Sequence, residues 1–476
     1  MTERIPVINP RSGASDYSIR CDQKADIRPL ADSLRQSQKH WLAASIDARV
    51  ATMREFAVAL KGQQEAIVSA LAVDTGRHAI AAGEFFGLLG AIERWCGQAP
   101  ALLSVPSKPS SAVPGVVIET QLDPYPLVGA ISPWNFPLLL SFIDAVPALL
   151  AGCAAVIKPS EVTPRFASPV SDAIAAVPAL HNVLRFIEGD GRTGAALIES
   201  VDVVAFTGSV ATGKKVSVAA ASRLIPAFLE LGGKDPAIVL QGADVERATT
   251  AILRASVAAT GQACQSLERI YVHTSIYDEF VAMLAQKAAD VSLSYPDAHK
   301  GIVGPLIFNK QADIIRDHLE DAVEKGAVVH AGGEVTRRDG GFWVAPTVLS
   351  SVDHTMRVMT EETFGPIMPV MAFDSVDESL TLANDTIYGL SAAVFGPDME
   401  TALAVARCID AGGISVNDAG MTTMIFEAEK SAYGMSGIGP SRMGATGLTR
   451  FLRHKALYKN SGDTVPISSM AESGGA

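Results

Sequence analysis

The chain has 476 residues, of which 48% are apolar and 19% charged, with Lys and Arg numbering 39 against 51 Asp and Glu. Its net charge of −12, with no basic block, argues against a nucleic-acid partner. That much apolar surface excludes a disordered chain, and the length suggests about three domains.

The cysteines Cys21, Cys96, Cys153, Cys264 and Cys408 are scattered, with no CxxC and no Cys/His cluster. Neither a disulfide framework nor a zinc site is expected, and free thiols suit the reducing cytoplasm. The opening residues show no apolar signal segment, so no secretory leader is expected.

In chain order, the first hundred residues read as helices, with apolar spacing from Ile46 to Asp74 and from Ile80 to Cys96. Ala101 to Pro114 reads as a connection. Gly115–Thr120 and Pro126–Ile131 read as two strands joined through Leu122-Asp123-Pro124, a hairpin able to extend as an arm. From Phe136 to Ile157 the only charge is Asp144, which mimics a membrane span. Pro137, Pro147 and Gly152 interrupt it, and a buried helix followed by a buried strand fits better.

From Gly129 onward short apolar runs alternate with helical segments. The runs are Ala154–Ile157, Val203–Phe206, Ile225–Leu229, Ala237–Leu240, Arg269–His273, Val328–His330, Pro369–Phe373 and Gly413–Val416. Tyr277–Leu293 and Lys310–Lys325 read as helices among them. This rhythm predicts two successive doubly wound α/β units. Ser461–Ala476 is small and polar and reads as a loose end.

Five segments carry possible chemistry. Phe206-Thr207-Gly208-Ser209, with Gly213 following, can turn backbone N–H groups and a helix N-terminus toward a phosphate. Lys158 and Glu161 follow an apolar strand, where an α/β sheet binds ligands; they could hold ribose hydroxyls or form an ordinary surface pair. Glu230, between leucines and ahead of Gly232-Gly233, suits a general base, or an edge residue facing solvent. Cys264 sits in the loop Gly261-Gln262-Ala263-Cys264-Gln265-Ser266, where a thiol can be reactive rather than a buried apolar group. The nearest histidine, His273, belongs to a strand, so a papain-like pair has no support. In Pro133-Trp134-Asn135-Phe136-Pro137 two prolines stiffen the loop around Asn135, whose amide could serve as an oxyanion donor or simply satisfy a turn.

Taken together and in this order, these segments, with EETFGP at Glu361, the strand from Gly389-Leu390-Ser391 to Phe395 and Val416-Asn417, resemble the NAD(P)-dependent aldehyde dehydrogenase superfamily. The resemblance implies an α/β, aldehyde-dehydrogenase-like fold of two doubly wound domains, one for cofactor and one catalytic, plus a small β oligomerisation arm. The bounds would be 1–107 and 125–232 for the cofactor domain and 233–450 for the catalytic domain. The arm would take 108–124 and 451–465, with its strands near Pro109–Pro124 and Lys455–Asn460, and a loose tail 466–476 would follow.

The resemblance also implies roles. Cys264 would be the nucleophile, Glu230 the base that activates water, and Asn135 with the Cys264 N–H the oxyanion donors. Ile131, Ser132, Trp134, Lys158, Ser160, Glu161, Gly208, Ser209, Thr212, Leu231, Gly232, Glu362 and Phe364 would bind the cofactor, expected to be NAD rather than NADP. Phe136, Leu140, Ile143, Ala263, Gln265 and Phe426 would wall the substrate pocket, with no metal. Members are usually dimers or tetramers. The apolar walls favour an uncharged aliphatic or aromatic aldehyde. A semialdehyde, a CoA-acylating reaction and a non-enzymatic structural protein are the alternatives. The segment Lys430–Met443 departs from the family pattern, because the acidic residue usual after the arginine is missing at Met443, and the loop Ala419–Glu429 is atypical.

Overall fold

Five short apolar runs between Leu127 and Glu230 lie side by side in one parallel sheet. In a computed structural model, which describes residues 4–470, they are β1 (Leu127–Ile131), β2 (Ala154–Lys158), β3 (Leu184–Phe186), β4 (Val203–Thr207) and β5 (Ala227–Glu230). Their order across the sheet is β5-β4-β1-β2-β3. The order reverses between β1 and β4, the point where such sheets receive ligands at their carboxyl ends. The strands are apolar without alternation because helices cover both faces. Helix Pro137–Ala151 joins β1 to β2; Pro137 opens it and Gly152, at φ 105°, ends it. The membrane-like run is thus a buried helix and a buried strand, and among the described residues no helix is long and apolar enough to cross a membrane.

Leu231-Gly232-Gly233-Lys234 then crosses directly into a second sheet. Its strands are β6 (Asp235–Val239), β7 (Leu267–His273), β8 (Val328–Ala331), β9 (Thr347–Ser350), β10 (Ile367–Phe373), β11 (Ser391–Phe395) and β12 (Gly413–Val416). The order is β8-β9-β10-β7-β6-β11-β12, with only β8 antiparallel to its neighbour. Apolar clusters fill both faces of it. The chain later returns to the first sheet, where β13 (Gly437–Ile438) adds an antiparallel edge to β5 and sets Gly437 opposite Glu230. The whole is a two-domain α/β fold.

Several local expectations are corrected. The first hundred residues are not all helical, because Arg4–Ile8 and Ser15–Arg20 pair as an antiparallel hairpin. The run from Ile46 to Asp74 is two helices, Ile46–Gly62 and Gln64–Thr75, which meet at Gln63. The expected hairpin of Gly115–Thr120 with Pro126–Ile131 does not form. Val116–Pro124 is one continuous strand through the supposed turn, and β1 belongs to the first sheet. Val116–Pro124 instead pairs along its whole length with Leu452–Asn460, and Lys108–Pro109 adds a short third strand. Asp123 and Glu119 reach Lys455 and Lys459 across that pairing, a register signal spread over more than 300 residues of sequence and invisible to local pattern. Of the expected loose end, residues 461–470 are exposed, with a short turn at Ile467–Met470; 471–476 lie outside the described residues.

Candidate active site

The carboxyl ends of β1, β4 and β5 face the amino ends of β6, β7 and β10. Three contacts join the two sheets there: Asn135 to Gln262, Gly233 to Glu362, and Trp134 to Phe364.

The loop ahead of β7 carries Cys264. Three consecutive residues before it, Ala259, Thr260 and Gly261, have φ of 55°, 62° and 66°. Left-handed backbone is unfavourable for Ala and Thr, and persists only where the surroundings enforce it. Here Thr260 Oγ1 accepts from the Gly304 N–H at 3.0 Å, and Gln262 Oε1 accepts from the Ile307 N–H at 2.9 Å. The buried Arg77 donates to the carbonyl of Ala259 at 3.0 Å and also to that of Asn135. A side chain at Gly261 would collide with Gly365. The loop is therefore fixed, and it presents Cys264 half-buried, whereas Cys21, Cys96 and Cys153 are buried and Cys408 is exposed. Desolvation pushes the Cys264 thiol up to about 12, and Asp235, Glu362 and Glu230 push the same way, while Lys430 opposes them. The Lys430 Nζ is buried without a hydrogen-bond partner.

Asn135 is buried, and its Nδ2 donates to the Gln262 carbonyl at 2.9 Å, two residues from Cys264. An amide NH₂ has two hydrogens, so one remains for another acceptor. Glu230 ends β5 with its side chain 19% exposed. Its Oε1 lies 3.6 Å from Nε of Arg442, which is itself paired with Asp144 at 3.0 Å. Gly232 and Gly233 are required by close approach. A Cβ on Gly232 would collide with the Glu362 carboxylate, and one on Gly233 would lie 2.6 Å from the Cys264 carbonyl. The Gly233 N–H donates to Glu362 Oε1 at 3.2 Å; desolvation, with Glu268 adding, pushes the Glu362 carboxyl up to about 8.

On the other side of the crevice, Ser209 caps helix Val210–Ala221 and accepts from the Thr212 N–H at 3.4 Å. Gly208 precedes it, and Gly213 makes room for Leu231. Lys158, at the end of β2, is only 3% exposed; its Nζ donates to the Pro159 carbonyl at 3.0 Å and lies 3.4 Å from Glu161. Ser160 Oγ accepts from the Val162 N–H, and Ser132 shares a hydrogen bond with Ser141 at 2.7 Å. Ile131 packs beside Lys158 over Gly194. Trp134 meets Phe364 edge-on at 5.3 Å.

Of the expected pocket walls, Leu140, Ile143 and Ala263 are half-buried. Phe136 lies under the Arg77 guanidinium at 5.4 Å, and Phe426 under that of Arg94 at 4.6 Å. Gln265 accepts from Thr422 of the atypical loop.

Sequence reasoning missed four supports of this site. Phe308 stands beside Trp134, and Arg77 holds the turns that carry Asn135 and Cys264. Lys234 donates to Glu268 at 2.7 Å; Glu268 accepts from the N–H groups of Thr363 and Phe364, fixing the turn that carries Glu362. Arg442 and Asp144 stand behind Glu230. Only Lys234 had a local signal, the position after Gly232-Gly233; the others depend on residues distant in sequence.

The model of the Aldehyde dehydrogenase family matches residues 1–457. The chain belongs to the aldehyde dehydrogenase family. It is 35% identical over 419 residues to a 4,4'-diapolycopene aldehyde oxidase of Methylomonas sp, a match covering 87% of this chain and 78% of that one. The solved structure of PutA from Anabaena variabilis, described as a candidate aldehyde dehydrogenase, is 52% identical with a TM-score of 0.96, over 98% of this chain and 99% of that one. Betaine aldehyde dehydrogenase from Staphylococcus aureus, solved with NAD+, is 29% identical with a TM-score of 0.90, covering 97% and 92%. Oxidation of an aldehyde with NAD(P) is thus the family activity of this chain.

Proposed function

We propose that this aldehyde dehydrogenase oxidises an uncharged aliphatic or aromatic aldehyde to the carboxylic acid, with water as the acyl acceptor and NAD as the cofactor. The observation that carries the reading is the 2.9 Å bond from Asn135 to Gln262, which brings a side-chain amide donor to the turn of the only half-buried cysteine.

The cofactor site fits a dinucleotide on its own terms. A capped helix N-terminus behind Gly208 suits a pyrophosphate. Lys158 and Glu161 at the end of β2 suit the adenosine ribose, Glu362 the second ribose, and Trp134 and Phe364 an adjoining ring. When bound, NAD supplies the hydride acceptor.

The protein's part follows from the residues. The Cys264 thiol gives its proton to solvent water, and the thiolate adds to the aldehyde carbon to form a thiohemiacetal oxyanion. The free Asn135 amide hydrogen and the Cys264 N–H donate to the oxygen that gains charge. After oxidation the acyl group is a thioester on Cys264. Glu230 takes a proton from water, the hydroxyl adds to the thioester carbon, and the carbon–sulfur bond breaks to release the acid and restore Cys264.

The three-stranded sheet supports a homo-oligomer. Leu452–Asn460 leaves one edge unpaired over nine residues, with Tyr458 72% exposed, and a second copy can extend it into a dimer or tetramer. Its scattered thiols fit the cytoplasm.

The test is a pair of variants followed by stopped-flow NADH formation with a panel of aldehydes. Cys264→Ala should abolish oxidation while NAD still binds. Glu230→Gln should give one burst of NADH and then slow turnover. Oxidation by Cys264→Ala, or acyl-CoA as the product when CoA is added, would replace the reading.

A further inference from the structure

Glu230 does not stand alone at the end of β5. The antiparallel edge β13 is laid along β5, and the Leu231 N–H donates to the Ser436 carbonyl at 2.8 Å. This delivers a sequence-distant residue, Arg442, to the carboxylate. The Arg442 side chain is 8% exposed. Its Nη2 donates to Thr207 Oγ1 at 2.7 Å and to Asp144 Oδ2 at 3.0 Å. These two anchors come from β4 and from helix Pro137–Ala151, so the guanidinium cannot turn freely. Its Nε faces Glu230 Oε1 at 3.6 Å and has no hydrogen-bond partner. A buried donor with no partner is costly, and here the nearest acceptor is the catalytic carboxylate.

The charges around it balance only with Glu230 included. Asp144 is shared with a second buried guanidinium, Arg450, which stacks between Phe228 and Phe451. Asp144 and an ionised Glu230 carry two negative charges against the two of Arg442 and Arg450. Glu230 is near enough to Cys264 for its charge to help raise the thiol.

We infer that Arg442, anchored by Asp144 and Thr207, is a positioning residue for Glu230: it holds the carboxylate at the edge of the first sheet, where it can take the proton from water. This rests on the reading of Glu230 as the hydrolytic base. It also gives the atypical late segment a role, because an arginine held by an aspartate of the helix after Phe136 stands behind the base.

The readout is turnover after the NADH burst, with the burst itself reporting an intact site. Arg442→Gln should leave the burst and slow post-burst turnover by about tenfold or more. Asp144→Asn, which frees one anchor of the guanidinium, should slow it several-fold. Arg442→Lys should recover part of the turnover lost in Arg442→Gln. A structural role alone would lower the burst and the later turnover together. Wild-type post-burst turnover in Arg442→Gln with a normal burst overturns the inference. If Arg442→Gln does not fold, Thr207→Val decides the matter; it removes one neutral anchor, should slow post-burst turnover several-fold with the burst unchanged, and wild-type turnover would overturn the inference. Glu230→Gln in the same series separates the two levels. Normal turnover there refutes the base assignment itself, whereas a silent Arg442 beside an inactive Glu230→Gln refutes only its positioning.

Discussion

The side-chain amide of Asn135 donates to the carbonyl oxygen of Gln262 at 2.9 Å, tying the turn after β1 to the turn that presents Cys264. The two turns come from different sheets, so this bond aligns an amide donor with Cys264 across the junction. Arg77 grips both turns from behind, through the carbonyls of Asn135 and Ala259.

Asn135→Ala should therefore lose its effect in the acylation step. Removing one oxyanion donor costs about 2.7–4 kcal/mol, a rate loss of about 10²–10³. The rate of the NADH burst should fall by that factor, with NAD affinity little changed. A burst at the wild-type rate would assign Asn135 to turn geometry alone.

The parts of this site that were legible in sequence are those whose chemistry is local. Cys264 in a Gly/Gln/Ser loop, Glu230 before two glycines and Asn135 between two prolines each announce an unusual backbone within a few residues. Most β strands of both sheets were legible for a similar reason, since a strand buried on both faces is a short continuous apolar run, whereas the short strands Leu184–Phe186, Thr347–Ser350 and Gly437–Ile438 were not read. The pairing of Gly115–Thr120 with Pro126–Ile131 was misread because Val116–Pro124 takes its register from Leu452–Asn460. The hairpin at the beginning was missed because Arg4–Ile8 and Ser15–Arg20 are short and mixed in polarity. Arg77, Arg442 and Asp144 were hidden because a buried charge has meaning only once its partner is known.

Lys430 should tune the nucleophile. Its buried, unpaired ammonium opposes the desolvation that pushes the Cys264 thiol up to about 12. Lys430→Met removes the positive charge, so the thiol rises further and less thiolate is present at any pH below it. Alkylation of Cys264 by iodoacetamide at pH 8, followed by mass spectrometry to separate it from the exposed Cys408, should slow by about 3- to 10-fold. An unchanged rate would place Lys430 outside electrostatic reach of the thiol.

Lys234 and Glu268 form a buried pair at 2.7 Å, and Glu268 also receives the N–H of Thr363 at 2.7 Å and of Phe364 at 2.8 Å. Lys234→Met strands a buried carboxylate, which typically costs about 3–5 kcal/mol. The midpoint of thermal unfolding should drop, and KM for NAD should rise because Glu362 and Phe364 flank the loosened turn. Adding Glu268→Gln to Lys234→Met should recover part of the lost stability, since a neutral amide has less to lose by burial. A double variant no more stable than Lys234→Met would show that packing, not the stranded charge, dominates.

Glu161 should decide between the two nicotinamide cofactors. It sits after β2 with its side chain 39% exposed, 3.4 Å from the Nζ of Lys158, whose own side chain is 4% exposed. Desolvation lowers the Lys158 pKa, and Glu161 works against that, so the carboxylate helps keep the ammonium charged in a buried place. A carboxylate here can accept hydrogen bonds from the free hydroxyls of the NAD ribose. Toward NADP it acts in the opposite sense, because its charge repels a 2′-phosphate. Glu161→Ser removes the repulsion and leaves the Lys158 ammonium with the Pro159 carbonyl, at 3.0 Å, as its hydrogen-bond partner among the described residues. That ammonium is then available to a phosphate. The ratio of kcat/KM for NAD over NADP should fall by about tenfold or more, partly through lost NAD efficiency and partly through gained NADP efficiency. Both cofactors are measured with one aldehyde and at one ionic strength, since salt weakens the repulsion at this half-exposed carboxylate. Equal efficiency with NAD and NADP in the unaltered enzyme would remove the argument, and Glu161 would then serve only as the partner of Lys158.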